Sequence, residues 1–248
     1  MAGHSQFKNI MHRKGAQDKK RAKIFSKHIR EIQVAARGGL PDVEMNPALK
    51  TAVAAAKAVN MPKDNIERAI KRGSGEGEGE AFEEIRYEGY GPDGVAIIVE
   101  TLTDNRNRTA SEVRAAFTKH GGSLGETNSV SFQFTRVGVI GYHRELITAD
   151  EMFEAALETG ANDVNSSEDG HDIMCDPDDL HSVRAALEEN FGTPLFAELQ
   201  WRPQVTVSVG EKHVQTLFKL IETLDENDDV RSVSANYEVD DSVMATLA

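Results

Sequence analysis

The chain has 248 residues, enough for two or three domains; 39% of them are apolar, and the formal net charge at pH 7 is −13. Its longest apolar runs, such as residues 95–99, are far too short to span a membrane, and the polar, basic N-terminus shows no secretory signal. We therefore expect a soluble cytosolic protein, in which the single cysteine, Cys175, cannot form an internal disulfide.

Charge is distributed very unevenly along the chain. Residues 1–72 hold 16 Lys and Arg against 6 Asp and Glu, a net charge of +10, whereas residues 73–248 hold 12 against 35, a net charge of −23. A basic segment of this kind attracts polyphosphates. The acidic remainder repels them, and so restricts how the protein can dock on such a partner.

Three helices are predicted in the basic segment. Apolar residues recur at helical spacing from about 19 to 37, and Gly38 follows as a stop signal. A second helix is expected from the N-cap Asn46 to about residue 59, and a third from about 62 to 72. The apolar stripe of the first helix consists of Phe25, Ile29, Ile32 and Ala36.

Beyond a Gly- and Glu-rich stretch typical of a linker, strands and helices alternate. Capping boxes at Thr109-x-x-Glu112 and Thr148-x-x-Glu151 predict two helix starts. Strands are expected near 95–102, 130–135, 137–142, 172–175, 196–201, 205–209 and 230–237, and helices near 109–119, 148–159, from 176 onward and at 211–224.

This order of elements predicts an α+β fold. We expect an N-terminal three-helix domain followed by two α/β domains of the ferredoxin-like, split β-α-β type, one inserted in the other. The expected bounds are 1–72 for the basic helical domain, 73–81 for the linker, 82–136 plus 204–248 for the discontinuous α/β domain and 137–203 for the inserted α/β domain.

The basic arm and the first helix predict a nucleic-acid-binding surface. Cations recur on the helix face opposite the apolar stripe, and each phosphate they neutralise releases counterions and adds affinity. Upstream, aromatic and imidazole rings lie among cations, which suits unpaired bases. The alternatives are a solvated helix face and tail, or a docking surface for the acidic domains of the same chain. The candidate residues are His4, Phe7, Lys8, His12, Arg13, Lys14, Lys19, Lys20, Arg21, Lys23, Lys27 and Arg30.

A second candidate site lies between a buried strand and a helix start. Arg106 and Arg108 would project where free helix N–H groups already favour an anion, so a phosphate could bind there. The alternative is that Asn105, Asn107 and Thr109 only cap the helix and the turn, with both arginines solvated or paired to nearby acids.

Signals for cofactors, metals and catalysis are weak. Residues 89–94 satisfy the dinucleotide-binding pattern, but a strand and not a helix follows, so we interpret them as a tight turn. The eight histidines and Cys175 lack metal-ligand spacing, and no catalytic triad motif or Walker loop is present. The carboxylate-dense stretches 176–179 and 225–229 are interpreted as solvated acidic faces. We expect no cofactor, no metal and no enzymatic activity; a hydrolase or transferase between the α/β domains has no constellation to support it.

Five motifs in order resemble the YebC family, whose relatives include the mitochondrial translational activator of cytochrome oxidase. The resemblance implies a helical domain and two α/β domains, one inserted in the other, without a cofactor or enzymatic activity. Members have been labelled probable transcriptional regulators and are now understood to aid translation on the ribosome, particularly through proline-rich stretches. The motifs are Gly3-His-Ser5, residues 12–27, residues 60–70, residues 87–94 and Asp104-Asn-Arg-Asn-Arg-Thr109.

We therefore expect a non-enzymatic regulator of gene expression that binds nucleic acid through its basic head. The resemblance favours a ribosome-associated translation factor that contacts RNA and relieves stalling at proline-rich stretches. The alternative is a DNA-binding transcriptional regulator, because composition alone does not distinguish DNA from RNA. At Gln6-Phe7 the family commonly has Lys-Trp, so a stacking residue is kept and one cation is lost. No membrane or small-molecule partner is indicated.

Overall fold

The computed structural model describes residues 17–75, 82–240 and 242–244, with side chains in the first helix described from Ala22 onward. The chain divides into two compact units. The first unit consists of Met1–Glu31, Glu78–Thr135 and Arg202–Ala248, and the second of Ile32–Gly77 and Arg136–Trp201. Within the described residues, no helix has the length and apolar character needed to cross a membrane.

The three predicted N-terminal helices are confirmed: α1 (Gln17–Arg37), α2 (Pro47–Ala58) and α3 (Lys63–Gly73). The predicted N-cap of α2 is confirmed as well, because the Asn46 side-chain oxygen accepts a hydrogen bond from the Leu49 N–H at 3.0 Å. The amide nitrogen of the same side chain donates to the carbonyl oxygens of Ala35 and Leu40. Asn46 therefore starts one helix and ties it to the end of another.

Helices α1 and α3 approach closely in the second unit. A Cβ atom at Gly73 would lie 2.4 Å from the Gln33 carbonyl oxygen and 2.8 Å from the Ala36 Cβ, so only glycine fits at this position. Ile32 and Ala36 are buried, as the apolar stripe of α1 predicted.

Further α-helices and β-strands follow α3 in the described residues. In chain order they are β1 (Glu83–Tyr90), β2 (Ala96–Thr103), α4 (Arg106–Lys119), β3 (Ser123–Leu124), β4 (Phe134–Tyr142), α5 (Ala149–Glu158), β5 (Asp163–Ser166), β6 (His171–Cys175), α6 (Leu180–Phe191), β7 (Phe196–Pro203), β8 (Val207–Ser208), α7 (Glu211–Asp225), β9 (Val230–Ala235) and β10 (Tyr237–Glu238).

The first sheet has the strand order β3-β1-β2-β9, and each neighbouring pair is antiparallel. Strand β1 therefore lies between β2 and β3, which α4 connects, so the segment forms a split β-α-β unit. Ile97, Val99 and residues of α4 and α7, among them Phe117 and Leu217, form one core. Strand β2 is buried on both faces, since Ile98 is buried as well.

The second sheet has the strand order β5-β6-β4-β7. Its chain order, β4-α5-β5-β6-α6-β7, is that of a ferredoxin-like fold. Ile140, Met152, Ile173 and Leu187 belong to its core. In the chain this sheet lies between β3 and β9 of the first sheet, and the predicted α+β fold is confirmed. Strands β1, β3 and β5 were not predicted from the sequence.

Two local predictions were wrong. Residues 130–135 were expected to form a strand, but Ser131–Gln133 forms a 3-10 helix and the strand begins only at Phe134. The cause is the buried Glu88 carboxylate, which accepts hydrogen bonds from the Val130 and Ser131 N–H groups and so removes them from sheet pairing.

The other error concerns the start of α4. Asn105 caps this helix by accepting from the Arg108 N–H at 3.1 Å, so the helix starts before the predicted capping box at Thr109. By contrast, the capping box of Thr148 and Glu151 at the start of α5 is confirmed. Asn105 is the N-cap because its side chain can bond to the backbone nearby, whereas the Thr109 hydroxyl is hydrogen-bonded to a buried carboxylate.

Candidate nucleic-acid interface

Of the predicted basic surface, the part that the structure describes begins in the first two turns of α1. Lys19, Lys20, Arg21 and Lys23 lie there, because the helix starts at Gln17. The Lys23 side chain is half-buried and makes no hydrogen bond or ion pair with the described residues. The remaining predicted residues of the basic arm lie outside the described part of the chain: His4, Phe7, Lys8, His12, Arg13 and Lys14.

Further along α1, two predicted phosphate ligands contact the turn that follows α7. Lys27 Nζ donates to the Asp225 carbonyl oxygen at 2.8 Å and lies 3.4 Å from its carboxylate. Arg30 donates to the Asp228 carbonyl oxygen and, at 2.9 Å, to Asp229 Oδ1. For these two cations the structure supports the alternative raised from the sequence, a docking surface for acidic residues of the same chain.

Glu31 adds a second connection between α1 and the first sheet. The Glu31 carboxylate lies 3.3 Å from Arg231 Nε, and Arg231 also lies 3.5 Å from the Glu84 carboxylate. His28 contacts Glu31 from the preceding turn at 3.1 Å. Residues 27–31 of the helix are therefore held by a continuous set of polar contacts.

Asp229 is the centre of these contacts. It is only 3% exposed, so the interpretation of residues 225–229 as a solvated acidic face was wrong at this position. Its carboxylate accepts from Arg108 Nη2 and from the Thr109 hydroxyl, each at 2.7 Å, in addition to Arg30. The Leu102 N–H donates to the Asp229 carbonyl oxygen at 2.8 Å, which fixes the turn against the end of β2.

Burial alone would raise the pKa of the Asp229 carboxyl. Hydrogen bonds from Arg108 and Thr109, together with the charges of Arg108 and Arg30, outweigh burial and lower the pKa below its usual value. Hydrogen bonds to Asp229 and Asp104 raise the pKa of the Arg108 guanidinium in turn. Asp229 is therefore ionised and shared between two arginines.

The second predicted anion site loses one of its two arginines to this network. Arg108 contacts Asp229 and, at 2.7 Å, Asp104, so its charge is already balanced inside the first unit. Arg106 is exposed, and its side chain makes no hydrogen bond or ion pair with the described residues. Of the two arginines, only Arg106 is available to an external anion without first breaking an internal ion pair.

Asp229 and Arg231 were not predicted from the sequence, because their contacts join positions about two hundred residues apart in the chain. The one signal that pointed to them was the density of carboxylates at 225–229 in a chain whose first helix is basic. A charge count cannot tell which carboxylate is buried, because that depends on where β2, α4 and the turn meet.

The remaining candidate chemistry is structural. Pro92–Gly94 forms a 3-10 turn in the hairpin between β1 and β2, so the predicted tight turn with a strand after it is confirmed. Burial, with the nearby charges of Asp179 and Asp176, raises the pKa of the Cys175 thiol to about 11, which disfavours the nucleophilic thiolate at neutral pH. Across the described residues, no group of three or more His, Cys, Asp or Glu is arranged to hold a metal ion.

Comparison with known proteins assigns the basic helix and the two sheets to a single family. The family model that matches the sheets is named for transcription regulation. The model for the TACO1/YebC N-terminal domain matches residues 5–76, and the model for the TACO1/YebC second and third domain matches residues 82–237. The chain therefore belongs to the TACO1/YebC family. The crystal structure of a conserved hypothetical protein from Aquifex aeolicus is 49% identical, with a TM-score of 0.84 over 90% of this chain and 92% of that chain.

Proposed function

We propose that this protein is a non-enzymatic regulator of gene expression that binds RNA through residues 1–37 and acts on the ribosome, where it relieves stalling at proline-rich stretches. The observation that carries the proposal is charge: this segment holds ten Lys and Arg against two acidic residues, in a chain whose net charge is −13. Such an excess supplies the sequence-independent affinity of phosphate binding.

The contacts of α1 divide the predicted site into two parts. Lys27 and Arg30 contact the turn at 225–229, and Arg108 holds Asp229 in place, so we assign these three cations to positioning the helix. Phosphate binding is assigned to the cations from Lys8 to Lys23, with Arg106 as a separate contact. A helix held at one end presents its cations with less loss of conformational entropy on binding.

RNA is favoured over duplex DNA by the residue types involved. The basic face of α1 offers lysines for phosphates but few side chains suited to reading base edges in a groove. Phe7, His4 and His12 stand among cations in the arm, which suits stacking on unpaired bases.

The proposed mechanism is positioning of bound substrates. Stabilising a productive geometry of reactants lowers the entropic part of a barrier and requires no catalytic side chain. The acidic charge of the remaining chain restricts the orientation in which the basic head reaches RNA.

A DNA-binding transcriptional regulator is the second candidate, and the family model's name favours it. Crosslinking in growing cells, followed by sequencing of the bound RNA and DNA, separates the two. Ribosomal RNA reads clustered at one site are expected. Discrete promoter peaks without a ribosomal cluster would overturn the translation role.

A charge variant tests the assignment of the basic head. We expect Lys19→Gln, Lys20→Gln, Arg21→Gln and Lys23→Gln together to weaken binding to single-stranded RNA by at least about tenfold at low salt. The slope of log K against log salt should become shallower by about 0.7 for each phosphate that the variant no longer neutralises. Fluorescence anisotropy across a salt series measures both quantities.

The matched control removes four cations from α2 and α3 by Lys57→Gln, Lys63→Gln, Arg68→Gln and Arg72→Gln. Equal reductions of affinity and slope in the two variants would show that net charge alone is responsible and would refute a localised site.

A further inference from the structure

Helix α5 exposes two large apolar side chains next to each other. Phe153 is 46% exposed and Leu157 is 52% exposed, and their spacing of four residues places them on one side of the helix. Leu146, 48% exposed, lies two residues before the N-cap Thr148. We call Phe153 and Leu157 the apolar pair of α5.

The apolar pair does not belong to the buried core of the second unit. The core of the second unit is filled from the other side of the helix, where Met152 and Ala156 are fully buried. Exposing apolar side chains to water costs free energy. Exposed apolar side chains that form a patch mark interaction sites. The pair is therefore a candidate contact for another molecule.

The surroundings of the pair are strongly acidic. Asp150, Glu154 and Glu158 lie on the exposed side of α5 and make no hydrogen bond or ion pair with the described residues. Residues 136–201 as a whole hold three Arg and no Lys against fifteen Asp and Glu, a net charge of −12. Any partner of the apolar pair must approach through this negative field.

From this combination we infer that the α5 surface binds a basic, amphipathic segment of a protein partner, whose apolar side chains cover Phe153 and Leu157 and whose Lys or Arg side chains meet Asp150, Glu154 and Glu158. An aromatic and an aliphatic side chain within one turn are the anchors typical of helix recognition. The flanking carboxylates add charge complementarity, which speeds association and selects against acidic partners.

The same charges argue against other occupants. A nucleic acid would bring phosphates against a surface of net charge −12, which costs free energy. A second copy that docked symmetrically, α5 against α5, would place the carboxylates of the two helices opposite one another. The inference goes beyond RNA binding by residues 1–37, so either proposal can fail without the other.

The test uses the full chain and a synthetic peptide of about 18 residues in which Leu repeats at helical spacing and the other positions are Lys. Fluorescence anisotropy should show binding that the double variant Phe153→Ser and Leu157→Ser weakens at least about tenfold. The double variant Glu154→Gln and Glu158→Gln should weaken binding to a smaller extent and reduce its salt dependence.

Phe132→Ser is the matched control, because Phe132 is 69% exposed but lies in the first unit. It should leave the affinity within about twofold. A peptide with Glu in place of Lys, and one with Ser in place of Leu, should each bind at least about tenfold more weakly than the Leu and Lys peptide. Equal binding of either peptide would overturn the corresponding half of the proposal.

Backbone NMR of the wild-type chain keeps the test decisive if a variant does not fold. Shifts caused by the peptide should concentrate at residues 146–158, and shifts concentrated elsewhere would overturn the assignment. Analytical ultracentrifugation of the chain alone gives the remaining check: a dimer that dissociates on Phe153→Ser and Leu157→Ser would show that the occupant is a second copy and would also overturn it.

Discussion

The two units use acidic residues in opposite ways. In the first unit Asp229 and Glu88 are buried, 3% and 1% exposed, and each is surrounded by hydrogen-bond donors. In the second unit the acids are in excess, fifteen against three arginines among residues 136–201. The same residue type therefore stabilises the fold where cations are available and creates a negative surface where they are not.

Glu88 shows the physical requirement for burying an acid. One carboxylate oxygen accepts from the Val130 and Ser131 N–H groups, both at 2.9 Å, and the other lies 2.9 Å from Arg86 Nε. A buried charge without such partners would cost several kcal/mol, or about the whole stability of a small domain. Carboxylates without partners therefore remain at the surface, where they are available to a binding partner.

Among changes to charged residues, the largest effect on stability is expected for Asp229→Asn. The change removes the charge that Arg30 and Arg108 share, and we expect a loss of about 3 kcal/mol in the free energy of unfolding, the lower end for broken buried ion pairs. Arg108 keeps Asp104 as a partner, and both arginines are partly exposed, which limits the loss. Urea unfolding followed by circular dichroism measures it.

The control for this variant is Asp225→Asn. The Asp225 side chain is 57% exposed, and its contact with Lys27 should contribute less than about 1 kcal/mol. Similar losses of unfolding free energy in the two variants would show that Asp229 is not the centre of the network. They would also show that burial does not distinguish its contribution from that of Asp225.

A smaller effect on stability is expected when the pH is lowered. Burial alone would raise the pKa of Asp229 and of Glu88. Hydrogen bonds and arginine charges outweigh burial, so both pKa values lie below their usual values. A carboxyl with a lowered folded-state pKa contributes stability that is fully present above its unfolded pKa of about 4 and is lost as pH falls through the folded pKa. Stability should therefore fall steadily below about pH 4.

The acid dependence should be shallower in Asp229→Asn, because one of the groups that take up protons on unfolding has been removed. Urea midpoints measured from pH 7 downward provide the comparison. An acid limb of the same slope in wild type and variant would contradict the lowered pKa of Asp229.

The smallest effect on stability is expected for Phe153→Ser with Leu157→Ser. Because both side chains are about half exposed, the double variant should change the free energy of unfolding by about 1 kcal/mol or less. Phe117→Ala, in the core of the first unit, should cost about 4 kcal/mol by comparison. A loss as large as that of Phe117→Ala would mean that the apolar pair serves the fold and is not a surface for a partner.

Elements with a strong local signal could be predicted from the sequence. Asn46 and Pro47 start α2, Thr148 and Glu151 start α5, and the apolar run at 95–99 belongs to a buried strand, each for reasons contained within a few residues. Elements that depend on distant partners were missed. Residues 130–133 do not form a strand because Glu88, more than forty positions earlier, accepts hydrogen bonds from the Val130 and Ser131 N–H groups.

Local patterns in the sequence were enough to establish the division of charge, the α+β order of elements and the family motifs, because charge counts, periodicity and caps are local properties of a chain. Which charges are already paired within the protein depends on the three-dimensional arrangement of the chain. It places Lys27, Arg30 and Arg108 on carboxylates or carbonyls near residue 229, and it leaves the acids of α5 beside exposed Phe153 and Leu157. The physical reason is that ion pairing and burial depend on distance in space, and folding brings together residues about two hundred positions apart.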